Sequence, residues 1–118
     1  MSAGSEQVPG SRDVAVAIND KLTIGGQREV EIQRDDTLKV YSNQALQVGQ
    51  DLTVKVGKNV RIEAGDSLEL VVGSARLRMK KDGSILISGN DITIVGSGKI
   101  NVKASSDMVL RGSKITQN

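Results

Sequence analysis

A period of eight residues runs through most of this chain. In "VGQDLTVKVGKNVRIEAGDSLELVVG", residues 48–73, glycine stands at Gly49, Gly57, Gly65 and Gly73, each directly after Val48, Val56, Ala64 or Val72. Counting in eights, Val16, Ile24, Ile32, Val40, Val48, Val56, Ala64 and Val72 are all apolar. So is a second set, Leu22, Val30, Leu38, Leu46, Val54, Ile62 and Leu70. Self-similarity at a fixed period signals a repeat architecture and takes precedence over any local reading.

Inside a unit the pattern is alternation. In "LTVKV" (52–56) Leu52, Val54 and Val56 share one face while Thr53 and Lys55 take the other, and "VRIEA" (60–64) and "LELVV" (68–72) repeat the scheme. Alternation over five residues predicts a strand with one apolar face. The Gly-Lys-Asn, Gly-Asp-Ser and Gly-Gln-Asp triplets between them are corner chemistry, in which glycine eases the backbone and Asn or Asp bonds its own backbone. Frequent β-branched residues and a recurring glycine argue against helix. Each octad is thus expected to be one short strand and one corner, wrapped around a narrow axis as a β-helix.

Regular octads span 16–73. The phase then slips near 74–75, because Arg76 and Arg78 fall in the apolar slots and Leu77 and Met79 carry the apolar face. A one-residue slip turns every side chain over, so a bulge or altered corner is expected at Ser74–Ala75. Asp82-Gly83 reads as a turn. Looser repeats continue over 77–118 as Ile85/Ile87, Ile92/Ile94, Ile100/Val102, Met108/Leu110 and Ile115. The β-helical region is therefore set at 14–118. Residues 1–13, polar and holding Pro9, read as a flexible lead-in or a cloning remnant.

Composition narrows the choice of core. Of 118 residues one is aromatic, Tyr41, and none is Phe or Trp, so the buried area that rings normally supply is missing. A narrow aliphatic core suits such a chain. The period itself allows either a chain coiling alone, three octads per turn, or three chains intertwining. A lone solenoid needs protected ends, and no capping segment is visible. A slim aliphatic supply also gains from a shared core.

The octads together with "RLRMKKDGSILISGNDITIVGSGKINVKASSDMVLRGSKITQN" (76–118) resemble the C-terminal part of VgrG proteins, the spike of bacterial type VI secretion, related to the central spike of contractile phage tails. The phrases "KKDGSI", "GSGKINVKAS" and "GSK" carry the resemblance more specifically than the octads, and it covers about 16–118. It implies an intertwined homotrimeric β-helix, a triangular β-prism acting as a rigid needle. It further implies a PAAR-type tip protein docked near Lys114, Ile115, Thr116, Gln117 and Asn118, an effector or adaptor as cargo, and an Hcp tube joined through a hub that this chain lacks. Transient membrane contact during puncture, and a bacterial cytoplasmic then injected location, belong to the same expectation. The alternative is a phage tail-spike or fibre segment used for receptor binding or envelope penetration. About twelve octads, each climbing one strand spacing of ~4.8 Å, would make a rod of roughly 60 Å.

Other chemistry finds little support. There is no His and no Cys, so the commonest general base and the thiol nucleophile are missing, and no catalytic residue, cofactor or metal is expected. Sixteen basic and 14 acidic residues are well mixed, unlike the basic stripe of a nucleic-acid binder. "VGSGKI" (95–100) fails as a phosphate loop, with Thr93 and Ile100 where glycine and Ser/Thr are needed. In the early octads the first inward slot is polar at Asp20, Arg28, Asp36 and Gln44 before Leu52, Val60 and Leu68 take it over. In a threefold prism these four would form successive interior rings of compensating charge; otherwise they sit at solvated corners.

Overall fold

A computed structural model describes residues 7–118; the first part of the expected 1–13 lead-in lies outside the described residues. Among the described residues there is no helix, and the fold is all-β. The chain divides into two units, Met1–Asp51 and Leu52–Asn118.

In the first unit the described residues follow a metronomic course. Two-residue bends fall at 9–10, 17–18, 25–26, 33–34, 41–42 and 49–50, one every eight residues. Among the described residues, the segments between them carry no strand ladder. The geometry nevertheless repeats closely. Val16, Ile24, Ile32, Val40 and Val48 are 43–51% exposed, whereas Leu22, Val30, Leu38 and Leu46 are 62–73% exposed. Two aliphatic slots per octad thus keep two distinct environments from unit to unit.

The bends also correct the expected role of glycine. Gln33–Arg34 and Tyr41–Ser42 make the same corner as Gly25–Gly26 and Gly49–Gln50. Among the described residues only Gly73 and Gly83 have positive φ, and a Cβ added at Gly49, Gly57 or Gly65 would meet nothing within 4 Å. Within one chain, neither backbone conformation nor crowding demands glycine at those corners.

The second unit continues with bends at 57–58 and 65–66 and then departs from the pattern. Strand β1, Ser67–Val72, pairs antiparallel with β2, Ala75–Lys80, which pairs antiparallel with β3, Ile85–Ser88, in the order β1-β2-β3. The β1–β2 loop is two residues, Gly73–Ser74, with Val72 opposite Ala75. Gly73 takes φ +54° and Ser74 does not have positive φ, the arrangement of a II′ turn with glycine first. Lys81–Ser84 lie between β2 and β3, and because Lys80 bonds to Ser84 the hairpin loop itself is three residues, Lys81–Gly83. Lys80 N–H donates to Ser84 O and Gly83 N–H to Lys80 O, both at 3.0 Å, while Gly83 takes φ +92°. That is the type I turn with a glycine bulge common in three-residue hairpins. The turn expected at Asp82-Gly83 is present.

These loops account for the change of phase. A two-residue loop places even positions of β1 opposite odd positions of β2: Leu68 faces Met79 and Leu70 faces Leu77. A three-residue loop keeps parity, so Leu77 faces Ile87 and Met79 faces Ile85. The feature at Ser74–Ala75 is therefore a reversal of the chain, and Arg76 and Arg78 turn away from the apolar face as its consequence. After β3 a bend at 90–91 precedes Ile92 and Ile94, and bends at 97–98, 105–106 and 113 fall back into the frame of 9–10 to 65–66.

Candidate functional site

The sheet has two chemically different faces. Alternation puts Leu68, Leu70, Val72, Ala75, Leu77, Met79, Ile85 and Ile87 on one side. No element of the unit covers that side: Leu70 is 58%, Ile85 67% and Ile87 63% exposed. Leu77 and Leu68, in the middle of the patch, are half-buried by their neighbours. A shallow groove along this face runs past Leu70, Val72, Leu77, Ile87 and Ile92.

The opposite face is held by charge. Glu69 lies directly across from Arg78, and its carboxylate forms ion pairs with Arg76 Nε at 3.6 Å and Arg78 Nη1 at 3.8 Å. Lys81 Nζ sits 3.3 Å from Asp66 Oδ1, and Lys81 N–H donates to Asp66 O at 3.0 Å, tying the second loop to the bend that precedes β1. Ser84 N–H donates to Asp82 Oδ1 at 2.9 Å. That bond, with the Ser84 hydroxyl beside it, holds the Asp82 carboxyl below its ordinary value.

The residues singled out in the sequence lie elsewhere. Asp20, Arg28, Asp36 and Gln44 each lie three residues after the first residue of a bend, all exposed. None of them joins an ion pair seen among the described residues, whose pairs are Arg61–Glu63 at 3.1 Å and those around Glu69 and Asp66. Lys114 to Asn118 follow the bend at Ser113 without regular structure and are exposed. Tyr41 opens a bend, 91% exposed, with Lys39 Nζ 5.3 Å from its ring centroid, a cation–π contact on an open surface. No group of three metal-ligating side chains occurs among the described residues, and no helix there is long and apolar enough to cross a membrane.

Sequence reading missed the uncovered sheet face as a feature of its own. Its signal was present in Gly73-Ser74, a two-residue hairpin signature between two alternating runs, but the eight-residue frame assigned Gly73 to one more corner.

No protein-family model matches the chain, and no curated protein matches it.

The most informative quantity is how little the chain buries. No described residue is buried, and the accessible surface is 13518 Å² for 12.5 kDa. A compact monomer of that mass exposes about 6,200 Å² and an unfolded chain about 18,000 Å². Hydrophobic burial is the main term opposing conformational entropy. One copy alone leaves most of that term unused.

Proposed function

We propose that this chain is a structural segment: one third of an intertwined homotrimeric β-helix serving as a rigid spike of a contractile injection machine of the type VI kind. The observation that carries the reading is the eight-residue course of bends, with the aliphatic slots of every octad left uncovered in a single copy. Three copies winding together would supply what each segment lacks. A neighbouring strand takes up the N–H and C=O groups along each octad, and the Val, Ile and Leu slots close into a dry interior. A prism so hydrogen-bonded along its faces is stiff and has free edges only at its ends.

The likeness of 76–118 to spike-protein phrases adds the context. In this reading the force comes from the attached machine and this segment transmits it during membrane puncture. Strand edges near Lys114–Asn118 receive a PAAR-type tip protein, with an effector or adaptor as further cargo. A tube of Hcp rings connects through a hub outside this chain. Asp20, Arg28, Asp36 and Gln44 then form interior polar rings, each acid ring compensated by the basic ring beside it.

The native mass in solution tests the assembly. Light scattering on a sizing column should give three times 12.5 kDa, about 38 kDa, in an elongated particle. A mass of one chain removes the physical basis of the spike reading. Given a trimer, deletion of residues 114–118 should abolish capture of a PAAR-type tip protein while leaving the mass ratio at three.

A further inference from the structure

Octads that resemble one another create a difficulty for any assembly made from them. Sliding one copy by eight residues puts Val48 where Val56 was, Leu46 where Val54 was, and every aliphatic slot from Val16 to Val56 still meets an aliphatic slot. Such repeats specify alignment weakly, as flat or uniform strands do. Something that occurs once must select the correct alignment.

Two features of the described chain occur once, the polar slots Asp20, Arg28, Asp36 and Gln44 and the three-stranded sheet, and of these the sheet alone is held by backbone hydrogen bonds of its own. Among the described residues, backbone hydrogen bonding within a copy is confined to the sheet and its loops, from Asp66 to Ser88, and the octads outside it have no ladder. The sheet can therefore order before copies meet, whereas the octads need a partner. Its polar face is already satisfied by Glu69 with Arg76 and Arg78. Its apolar face is not covered, and Leu68, Leu70 and Val72 on it occupy the same octad slots as Leu52, Val54 and Val56. A surface continuous with the repeat's own apolar side points to further copies of this chain rather than to a foreign partner. Leu70, Val72, Met79, Ile85 and Ile87 are 39–81% exposed, on the order of 100 Å² each. Three copies meeting there would cover roughly 1,500 Å² in all, about 500 Å² per pair, a first contact that the octads must then extend to the area of a stable interface.

We propose that the antiparallel sheet 67–88 is the alignment element of the assembly, and that two further copies of this chain are the occupants of its apolar face, which is buried first and sets the register in which the octads then wind. The inference rests on the trimeric reading above. It assigns the sheet a role separate from the octads: they supply length, and the sheet supplies the starting point.

Refolding of the full chain from denaturant tests it. The native mass of the unaltered protein is measured first, so that a one-chain mass is recognised as failure of the trimeric reading itself. Leu77→Ala on the sheet, Gly73→Ala in its hairpin and Val54→Ala in an octad are then compared. Native interactions present in the rate-limiting step slow refolding when removed, and those formed later speed unfolding. Leu77→Ala and Gly73→Ala should slow refolding about tenfold with unfolding changed less than about twofold; Val54→Ala should show the opposite pattern. Sheet variants that never regain native mass, while Val54→Ala does, agree with the inference. A three-chain mass with Val54→Ala slowing refolding as much as Leu77→Ala, or with the sheet variants affecting only unfolding, overturns it and leaves the trimer standing. Register is read independently by a spin label on Lys55→Cys. The unaltered background should give one sharp set of distances, and Leu77→Ala should add longer ones from slipped copies. Unchanged sharp distances in a slowly refolding Leu77→Ala trimer would also count against the assignment.

Discussion

Gly73 and Gly57 look alike in the sequence, each closing a run of alternating aliphatics, yet the structure gives them different tasks. Gly73 has φ +54°, where any residue with a Cβ is strained by about 1–2 kcal/mol. Gly73→Ala should lower stability by that amount in denaturant titration. Gly57 has an ordinary φ and open space around it, so Gly57→Ala should cost a single copy no more than the few tenths of a kcal/mol typical of surface changes. A much larger cost would locate another chain against that corner, as the trimeric reading requires. Asp82 offers a pH probe of the second hairpin. Its carboxylate is stabilised by the Ser84 amide, then by the Ser84 hydroxyl, so its pKa lies below the ordinary 3.8. The stabilisation is fully present above the ordinary value and is lost as pH falls through the lowered one. In an NMR titration the Asp82 carboxyl should have its midpoint below 3.8, with the Ser84 amide resonance moving alongside; a midpoint at or above 3.8 would mean the loop bond is absent in solution.

Among elements, the three-stranded sheet separates what could be read from the sequence from what could not. The apolar alternation in 68–72, the apolar standing of Leu77 and Met79, and the Asp82-Gly83 turn were all visible, because each depends on neighbours a few residues away. The reversal at Gly73–Ser74 was signalled by Gly-Ser between two alternating runs, but a bulge also shifts parity by one, and the eight-residue frame favoured a corner. A related limit applies to the octads. Their corners are periodic in both sequence and structure, but strand pairing is a long-range property that local pattern does not carry. Asp20, Arg28, Asp36 and Gln44 share one octad slot, and on the trimeric reading their surroundings would be set by neighbouring copies. The ion-paired face makes a smaller claim on stability. Glu69 is shared by two arginines at the surface, and pairs of this kind are worth about 0–1 kcal/mol. Glu69→Gln should therefore cost under about 1 kcal/mol, less still in 1 M salt, as measured by urea unfolding. A larger and salt-insensitive loss would indicate that this face is covered too.

At the scale of the whole molecule, a chain that exposes 13518 Å² should owe its stability to association. Its thermal midpoint should rise with protein concentration, as mass action requires when folding and assembly are one process. A midpoint constant over a hundredfold dilution would show that a single copy is stable as it stands. The spacing of the bends has one more consequence. Because corners from 9–10 to 65–66 recur every eight residues, and those at 97–98 and 105–106 keep the count after the sheet, the chain behaves like a ruler marked in one unit. On the trimeric reading its length could change only in whole divisions. Excising residues 49–56 leaves every later mark in phase, so a shortened but otherwise intact particle is expected. Excising 49–52 shifts them all by half a division, which no local repair can absorb. On the trimeric reading, duplication or loss of an octad would adjust length without redesigning either end.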